Sequence, residues 1–373
     1  MALNDESGGF KVQAQGQFLM VCTKSGIIRI WDVSKRDMRA HCHPINIREK
    51  ISDFHSLEDV QMNCNGSFVS VTLRPINKPD IIDPKLYIYE VEKSVLRYFN
   101  FASGRDDSDD ISVPPNSAQS NLRSNDFLSL STKSVSGKYV VNHSWDLCES
   151  NFLACYTQGF SEIEYNTQPQ KPSLVSLFIH EDHGVVIHDS QNTSDQLIKL
   201  IAVEIPFLVT LVTALESKGP GAKVERNVMS DFVGLGDSDK ATKDAVIKFS
   251  FYLSIGNMEE AFKSIKTIKN QNVWGNLARM CVKSQRLDVA AICLGKMEHA
   301  AGARALRQIN AQHVDKDVKT AVLAIYLGMP EEAEQLLIRC KRYDLLNKLY
   351  QDSGQWEKAL EVADSHDRCV NKL

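Results

Sequence analysis

A six-residue pattern, repeated through the last third of the chain, constrains its fold more than any other feature. The pattern is glycine, any residue, a bulky or apolar residue, two more residues, then alanine. It reads Gly256-Asn257-Met258-Glu259-Glu260-Ala261, Gly328-Met329-Pro330-Glu331-Glu332-Ala333 and Gly354-Gln355-Trp356-Glu357-Lys358-Ala359. A fourth copy, Gln285-Arg286-Leu287-Asp288-Val289-Ala290, keeps all of it except the glycine. A glycine just past a helix takes the left-handed conformation that caps the last carbonyls. The acidic residues that follow then sit in the first turn of the next helix, where the macrodipole favours them. The alanine is small enough to let two helices approach closely. Apolar residues flank the pattern at helical spacing: Ala245, Phe249, Tyr252 and Leu253 before the first copy, Ala261, Ile265 and Ile268 after it. In the last copy Leu346, Leu349 and Tyr350 precede Gly354, and Ala359, Val362 and Ala363 follow. The pattern predicts paired helices with Gly256, Ala261, Ala290, Gly328, Ala333, Gly354, Trp356 and Ala359 as structural anchors.

The anchor alanines lie 29, 43 and 26 residues apart, scattered about the roughly 34-residue tetratricopeptide period. Residues 245–373 are therefore expected to form a tetratricopeptide-like α-solenoid, truncated at its C-terminal end. Such solenoids bind other proteins on their concave and lateral surfaces and have no built-in active site.

Upstream the hydrophobic period is that of strands. Gln17–Thr23, the turn Lys24-Ser25-Gly26 and Ile27–Val33, which contains Trp31-Asp32, resemble one blade of a WD-repeat propeller. A second blade follows in Phe68–Thr72, Lys85–Val91 and Val95–Phe101. A third begins near Trp145-Asp146 and continues through Phe152–Tyr156, Leu174–Ile179 and Val185–His188. Residues 1–215 are read as a partial WD40-type β-propeller of about three blades, with Trp31, Asp32, Trp145 and Asp146 as its anchors. An acidic, Ser-rich insertion near 103–126 is too polar to order itself, and 216–244 reads as a linker in which Asp239 can cap the first helix. Three blades are too few to close a ring, for which ~4 to 8 are typical. The fold class is a multidomain all-β plus all-α chain.

Composition narrows the function. A net charge of −4, with neither half strongly basic, argues against nucleic-acid binding. The N-terminus lacks the basic and apolar regions of a signal peptide, and no apolar run reaches the ~20 residues that span a bilayer; Leu197–Leu215 comes nearest, interrupted by Lys199, Glu204 and Pro206. Nine cysteines without CxxC spacing fit reduced thiols in the cytoplasm, with Cys22 and Cys155 inside apolar strands. His41-Cys42-His43 and the cluster His180-Glu181-Asp182-His183 invite a metal, but read better as edge and hairpin residues because neither has a second ligand pair. The Gly219-Pro220-Gly221 run lacks the context of a phosphate loop, and no GxSxG, HExxH or kinase motif is present. The expectation is a protein that is not an enzyme, with no catalytic residue, cofactor or metal ligand to name. The sequons Asn65-Gly66-Ser67, Asn142-His143-Ser144 and Asn192-Thr193-Ser194 would go unused in the cytoplasm.

Several strings are more distinctive than generic repeats. Asp231-Phe232-Val233-Gly234, Phe249-Ser250-Phe251, Leu277–Lys283, Gly302–Arg307 and Cys340–Lys348, together with Trp31-Asp32 and Trp145-Asp146, resemble the propeller-to-solenoid junction of intraflagellar transport complex A subunits. The resemblance runs from about Phe10 to Arg368. It implies a ciliary scaffold that binds the other complex A subunits, is linked indirectly to the retrograde dynein motor, and helps membrane proteins into cilia. It implies localisation to the cilium or flagellum, including axoneme and basal body, and to the cytoplasm. The chain departs from the family plan in lacking a first propeller and part of a second, and in stopping at Leu373 where the family's solenoid continues, so it reads as a truncated form. A vesicle-coat scaffold or a WD-repeat substrate receptor of a ubiquitin ligase shares parts of this plan and is the alternative.

Overall fold

The computed structural model describes residues 9–34, 37–52, 54–77, 81–106, 135–160, 171–180, 182–216, 219–266, 268, 271–311 and 315–365. Most of the acidic insertion and the C-terminal Cys369–Leu373 lie outside the described residues. The chain divides into two units, Met1–Met229 and Ser230–Leu373.

Among the described residues, the first unit is a partial propeller of four antiparallel sheets. The first sheet holds β1 (Gly9–Gln15), β2 (Phe18–Thr23), β3 (Ile27–Asp32) and β4 (Arg39–Ala40), with β5 (Ile45–Asn46) also pairing β3. A single helical turn, α1 (Ile47–Lys50), follows it. The second sheet is β6 (Phe54–Met62), β7 (Phe68–Pro75), β8 (Lys85–Glu90), β9 (Val95–Asn100) and β10 (Arg105–Asp106); the third is β11 (Lys138–Trp145), β12 (Phe152–Gly159), β13 (Ser173–His180) and β14 (Gly184–Asn192). The fourth is β15 (Leu197–Glu204), β16 (Phe207–Glu216) and β17 (Gly219–Val228).

Alternation along each strand decides which side chains meet. In β2, Phe18, Met20 and Cys22 point to one face and are buried with Ile28 and Ile30 of β3 against Val60, Val69 and Val71 of the second sheet. A second core joins the second and third sheets through Leu86, Ile88 and Phe99 on one side and Leu153, Cys155 and Leu177 on the other. Burial pushes the Cys22 thiol up to about 12 and the Cys155 thiol upward, which keeps both protonated and inert.

The fourth sheet is where structure and sequence part. The sequence suggests about three blades and a linker from 216, yet Leu197–Val228 forms a further sheet. Its strands are hidden by two register shifts in β15, between Leu197 and Lys199 and between Leu200 and Ala202, which break the alternation. The outer strand β17 is polar and begins Gly-Pro-Gly, a composition that reads as a connector. The unit boundary falls at Met229, fourteen residues beyond the sequence-based limit of 215.

The second unit opens with a 3-10 turn at Ser230–Phe232, in which Phe232 is fully buried, as is Leu235 just after it. Lys283 Nζ donates to the buried Asp231 carboxylate (2.8 Å), and Asn276 donates to the Val233 carbonyl, so this turn is tied to the stack. Nine helices follow among the described residues: α2 (Lys240–Ser254), α3 (Met258–Ile265), α4 (Gln271–Lys283), α5 (Leu287–Lys296), α6 (Ala300–Asn310), α7 (Lys316–Tyr326), α8 (Pro330–Arg339), α9 (Tyr343–Asp352) and α10 (Trp356–Ser365). The helix α2 begins where expected of its cap: the Asp239 carboxylate accepts from the Thr242 N–H (3.2 Å) and hydroxyl (2.6 Å). The helix α6 carries no copy of the signature and lies within the 43-residue interval, which accounts for that interval's length. This unit is a tetratricopeptide-like α-solenoid.

Candidate interaction surfaces

The anchors named from sequence do not converge on one site. Their geometry shows what each holds. Gly256, Gly328 and Gly354 have φ of 76°, 70° and 73°. At each, paired backbone bonds close the helix, as in Gly256 N–H to Leu253 O (3.1 Å) and Asn257 N–H to Tyr252 O (2.9 Å). The glycine-less copy makes the same turn with Gln285 at φ 51°. Two further turns of this form, at Glu298 (φ 57°) and Lys341 (φ 55°), carry no glycine and escape the sequence reading. Ala261, Ala290 and Ala333 are fully buried and Ala359 nearly so. Trp356 is different: it is 63% exposed, and Leu360, one turn on, is 65% exposed. These two form an apolar stripe on α10. A groove of about 290 Å³ lined by Ala291, Ala303, Leu306, Arg307 and Asn310 lies between α5 and α6.

In the propeller, Trp31 sits on β3 opposite Leu19 and Ala40, and Asp32 accepts from the Ser34 N–H (2.9 Å). Trp145-Asp146 occupies another place altogether. It closes the first strand of the third sheet, whereas Trp31-Asp32 closes the third strand of the first sheet. The two dipeptides are therefore not equivalent positions of one repeat. Trp145 is 3% exposed, donates from Nε1 to Ser70 Oγ (2.8 Å) and stacks on Phe68 at 6.0 Å, joining the third sheet to the second. Asp146 joins the third sheet to the fourth. One carboxylate oxygen accepts from Cys148 and Glu149 N–H (2.9 and 2.7 Å), and the other accepts from Ile205 N–H (2.7 Å). Burial raises the Asp146 pKa despite those bonds.

Other locks between sheets were not visible in the sequence. The Asn142 amide donates to the Leu200 carbonyl (2.6 Å) and accepts from the Leu200 N–H (3.2 Å), so this sequon asparagine is a buried rivet. Asn63 donates to the Ser150 carbonyl (2.9 Å). The first strands of three sheets bring together Lys11, Asp59 and His143: Lys11 pairs with Asp59 at 2.5 Å, and Asp59 lies 3.8 Å from His143 Nδ1. Complete burial lowers the His143 pKa to about 4, against the pull of Asp59. Burial would raise the Asp59 carboxyl, but His143, Lys11 and Gln61 together hold it below the usual range. Lys138, lowered by burial to about 8, donates to Ser173 Oγ (2.7 Å), which also meets Thr157 Oγ1 (2.9 Å). No sequence spacing announces these contacts, because each joins residues far apart in the chain.

Among the described residues no three His, Cys, Asp or Glu side chains gather where they could hold a metal ion. The His180 and His183 rings meet at a tilt, centroids 5.0 Å apart, on their hairpin, and Glu181 lies outside the described residues. His41 packs on Phe18 at 4.6 Å. No described helix is long and apolar enough to cross a membrane.

Two family models cover nearly the whole chain in order. The first is described as the IFT140 second beta-propeller and matches residues 3–213; the second is described as a TPR domain of IFT140 and IFT172 and matches residues 256–372. Among solved structures, the chain is similar to the β-propeller domain of Myceliophteria thermophila Cps50 (Swd1), at 10% identity over 59% of this chain and 75% of that one, with a TM-score of 0.22. It is also similar to the N-terminal domain of Nup159, at 9% identity over 59% of this chain and 61% of that one, with a TM-score of 0.18.

Proposed function

We propose, from the premise that the chain belongs to the IFT140 family, that it serves in retrograde ciliary transport, in ciliary assembly and in bringing membrane proteins into cilia. Propeller and solenoid domains of this family give it a scaffold role of the complex A type, working with other intraflagellar transport components. The one observation that carries the finer reading is the order of the two matches: both halves of the chain, each in its place, match the same family. The direct partners are the other complex A subunits, with the retrograde dynein motor and membrane cargo reached through them. Axoneme, basal body and cytoplasm are the places where it acts. Its residues bind and hold; none is assigned a chemical step. The turn-and-alanine grammar supports this reading because it builds extended lateral surfaces, and the Trp356–Leu360 stripe offers a surface of this type.

The test is purification of the tagged 373-residue chain from ciliated cells, with partners identified by mass spectrometry. Complex A subunits in the eluate support the proposal. Chaperones alone, with retrograde transport intact in cells lacking the protein, would end it.

A further inference from the structure

Two turns bring a pair of thiols together across the boundary between the second and third sheets. Each turn joins the first strand of its sheet to the second: residues 63–67 lie between β6 and β7, and residues 146–151 between β11 and β12. The Asn63 amide donates to the Ser150 carbonyl (2.9 Å), and one residue on, the Cys64 thiol donates to the carbonyl of Cys148 itself (3.5 Å). Both turns are held in place. Asn63 closes its own turn, taking the Phe68 N–H on its side-chain oxygen (3.1 Å) and the Gly66 N–H on its carbonyl (3.3 Å). Cys148 is gripped on two sides, because its N–H donates to Asp146 (2.9 Å) while its carbonyl accepts from Cys64. Among the described residues Cys148 is the one exposed cysteine, and Cys64 is half-buried.

We propose that Cys64 and Cys148 form a reversible disulfide, a clasp between the second and third sheets that closes when the surroundings turn oxidising. A disulfide needs Cα atoms about 4.4–6.8 Å apart. Standard bond lengths put a carbonyl oxygen about 2.4 Å from its own Cα, so the Cys64 sulfur stands within about 6 Å of the Cys148 Cα. Turning the exposed Cys148 side chain is the main movement required. The oxidant is a small disulfide of the glutathione type. The Cys148 thiolate attacks one of its sulfurs, a Cys148–glutathione bond forms, and the first glutathione leaves as a thiolate. Cys64 then gives up its proton and attacks the Cys148 sulfur, and the second glutathione leaves. Two protein thiols are oxidised, one glutathione disulfide is reduced to two thiols, and the two protons end on those thiols.

The order of attack follows from the surroundings. Cys148 meets solvent, whereas burial and the neighbouring Asp146, Glu149 and Cys148 push the Cys64 thiol up to about 11. Cys64 is therefore the slower, second nucleophile near neutral pH. The same surroundings favour the closed clasp once it forms, because a thiol that gains nothing from ionising leaves the reduced state without extra stabilisation. The bridge joins residues 84 apart in sequence and so encloses β7 to β11. Closing a loop of that size removes much of the freedom of the unfolded chain. The thiols meet through sheet packing, so no CxxC spacing marks the pair.

Incubating the reduced, purified full chain with glutathione disulfide, then trapping free thiols and mapping peptides without reductant, tests the proposal. A linked Cys64–Cys148 peptide is expected, released again by dithiothreitol. Conversion of the Cys148–glutathione adduct into that link should quicken about tenfold per pH unit between pH 7 and 9, as the Cys64 thiolate becomes more abundant. Cys64→Ser should stop the reaction at the adduct, and Cys148→Ser should abolish the linked peptide; circular dichroism verifies that both variants are folded. Closure should raise the melting temperature of the propeller by roughly 10 °C in the original chain and in neither variant. The proposal is overturned by glutathione that stays on Cys148 of the original chain at pH 9 with Cys64 still free, or by links from either residue to another cysteine. A chain that reacts at neither thiol, or a linked chain that melts no higher than the reduced one, overturns it equally.

Discussion

The two units hold themselves together by opposite means. In the propeller, neighbouring sheets are locked by unrepeated hydrogen bonds between side chain and backbone: Asn142 to Leu200, Asp146 to Ile205, Asn63 to Ser150. In the solenoid the same device recurs, a left-handed residue that ends one helix and a buried alanine that admits the next. A unit of unique locks depends on each of them, whereas a repeat array spreads its stability over nearest neighbours. Damage should therefore spread in the propeller and stay local in the solenoid.

The largest effect should come from Asp146→Ala. It strips the partners from three backbone N–H groups, those of Cys148, Glu149 and Ile205, and a donor left unsatisfied costs about 1–3 kcal/mol where water cannot reach it. Hydrogen exchange should show lost protection across both the third and fourth sheets; loss confined to residues 146–149 would break the comparison. Next comes the pH response of His143. Between its folded value of about 4 and its ordinary value of about 6.5, the unfolded chain binds a proton that the folded one does not. Stability is therefore complete above about pH 6.5 and falls as pH drops toward 4, by on the order of 3 kcal/mol. Denaturant melts of the propeller across that window, with and without His143→Leu, check the sign: the variant should flatten the slope.

In the solenoid, Ala261→Leu should cost roughly 1–3 kcal/mol by forcing α2 and α3 apart. The loss should be read in the amides of α2–α4, while α7–α10 keep their protection. An unchanged melting curve would refute the helical-pair assignment, and a loss spread over the whole stack would blur the contrast with the propeller. Smallest are the turns. Gly328→Ala puts a Cβ at φ 70° and should destabilise by about 1 kcal/mol, whereas Gln285→Gly removes one at φ 51° and should stabilise by about 1 kcal/mol or less. Thermal melts of the two variants side by side would show shifts of opposite sign.

Legibility in the sequence followed the range of the interactions. The turns at Gly256, Gly328 and Gly354 were readable because their cause is local: a backbone angle that glycine adopts without strain. The Asp239 cap was readable for the same reason. The turns at Glu298 and Lys341 were not, because paired backbone hydrogen bonds close them at positive φ with no residue type to mark it. The Trp-Asp pairs show the limit of a motif: Trp145-Asp146 has the letters of Trp31-Asp32 but stands on a different strand, and a dipeptide does not record its place in a sheet. The fourth sheet was lost to the bulges of β15 and the polarity of β17. Among the candidate surfaces, Trp356 was visible as a bulky position of the repeat, but its exposure depends on what packs over α10, which the repeat pattern does not specify. The cluster of Lys11, Asp59 and His143 had no sequence signal at all.

The left-handed turns also keep time. Glu298 follows Gln285 by thirteen residues, Lys341 follows Gly328 by thirteen, and Gly354 follows Lys341 by thirteen. One beat is a ten-residue helix and its three-residue turn, as in α5, α8 and α9. The measure of two beats, twenty-six residues, is the interval between Ala333 and Ala359. The metre holds from Gly328 to Gly354, whereas Gly256 to Gln285 and Glu298 to Gly328 run longer, so in the metrical stretch length is removed without turning the later helices only in whole measures. Excising 328–353 brings Leu327 up to Gly354, a downbeat in place of a downbeat, whereas a cut of any fraction of a beat leaves every later alanine pointing at the wrong neighbour.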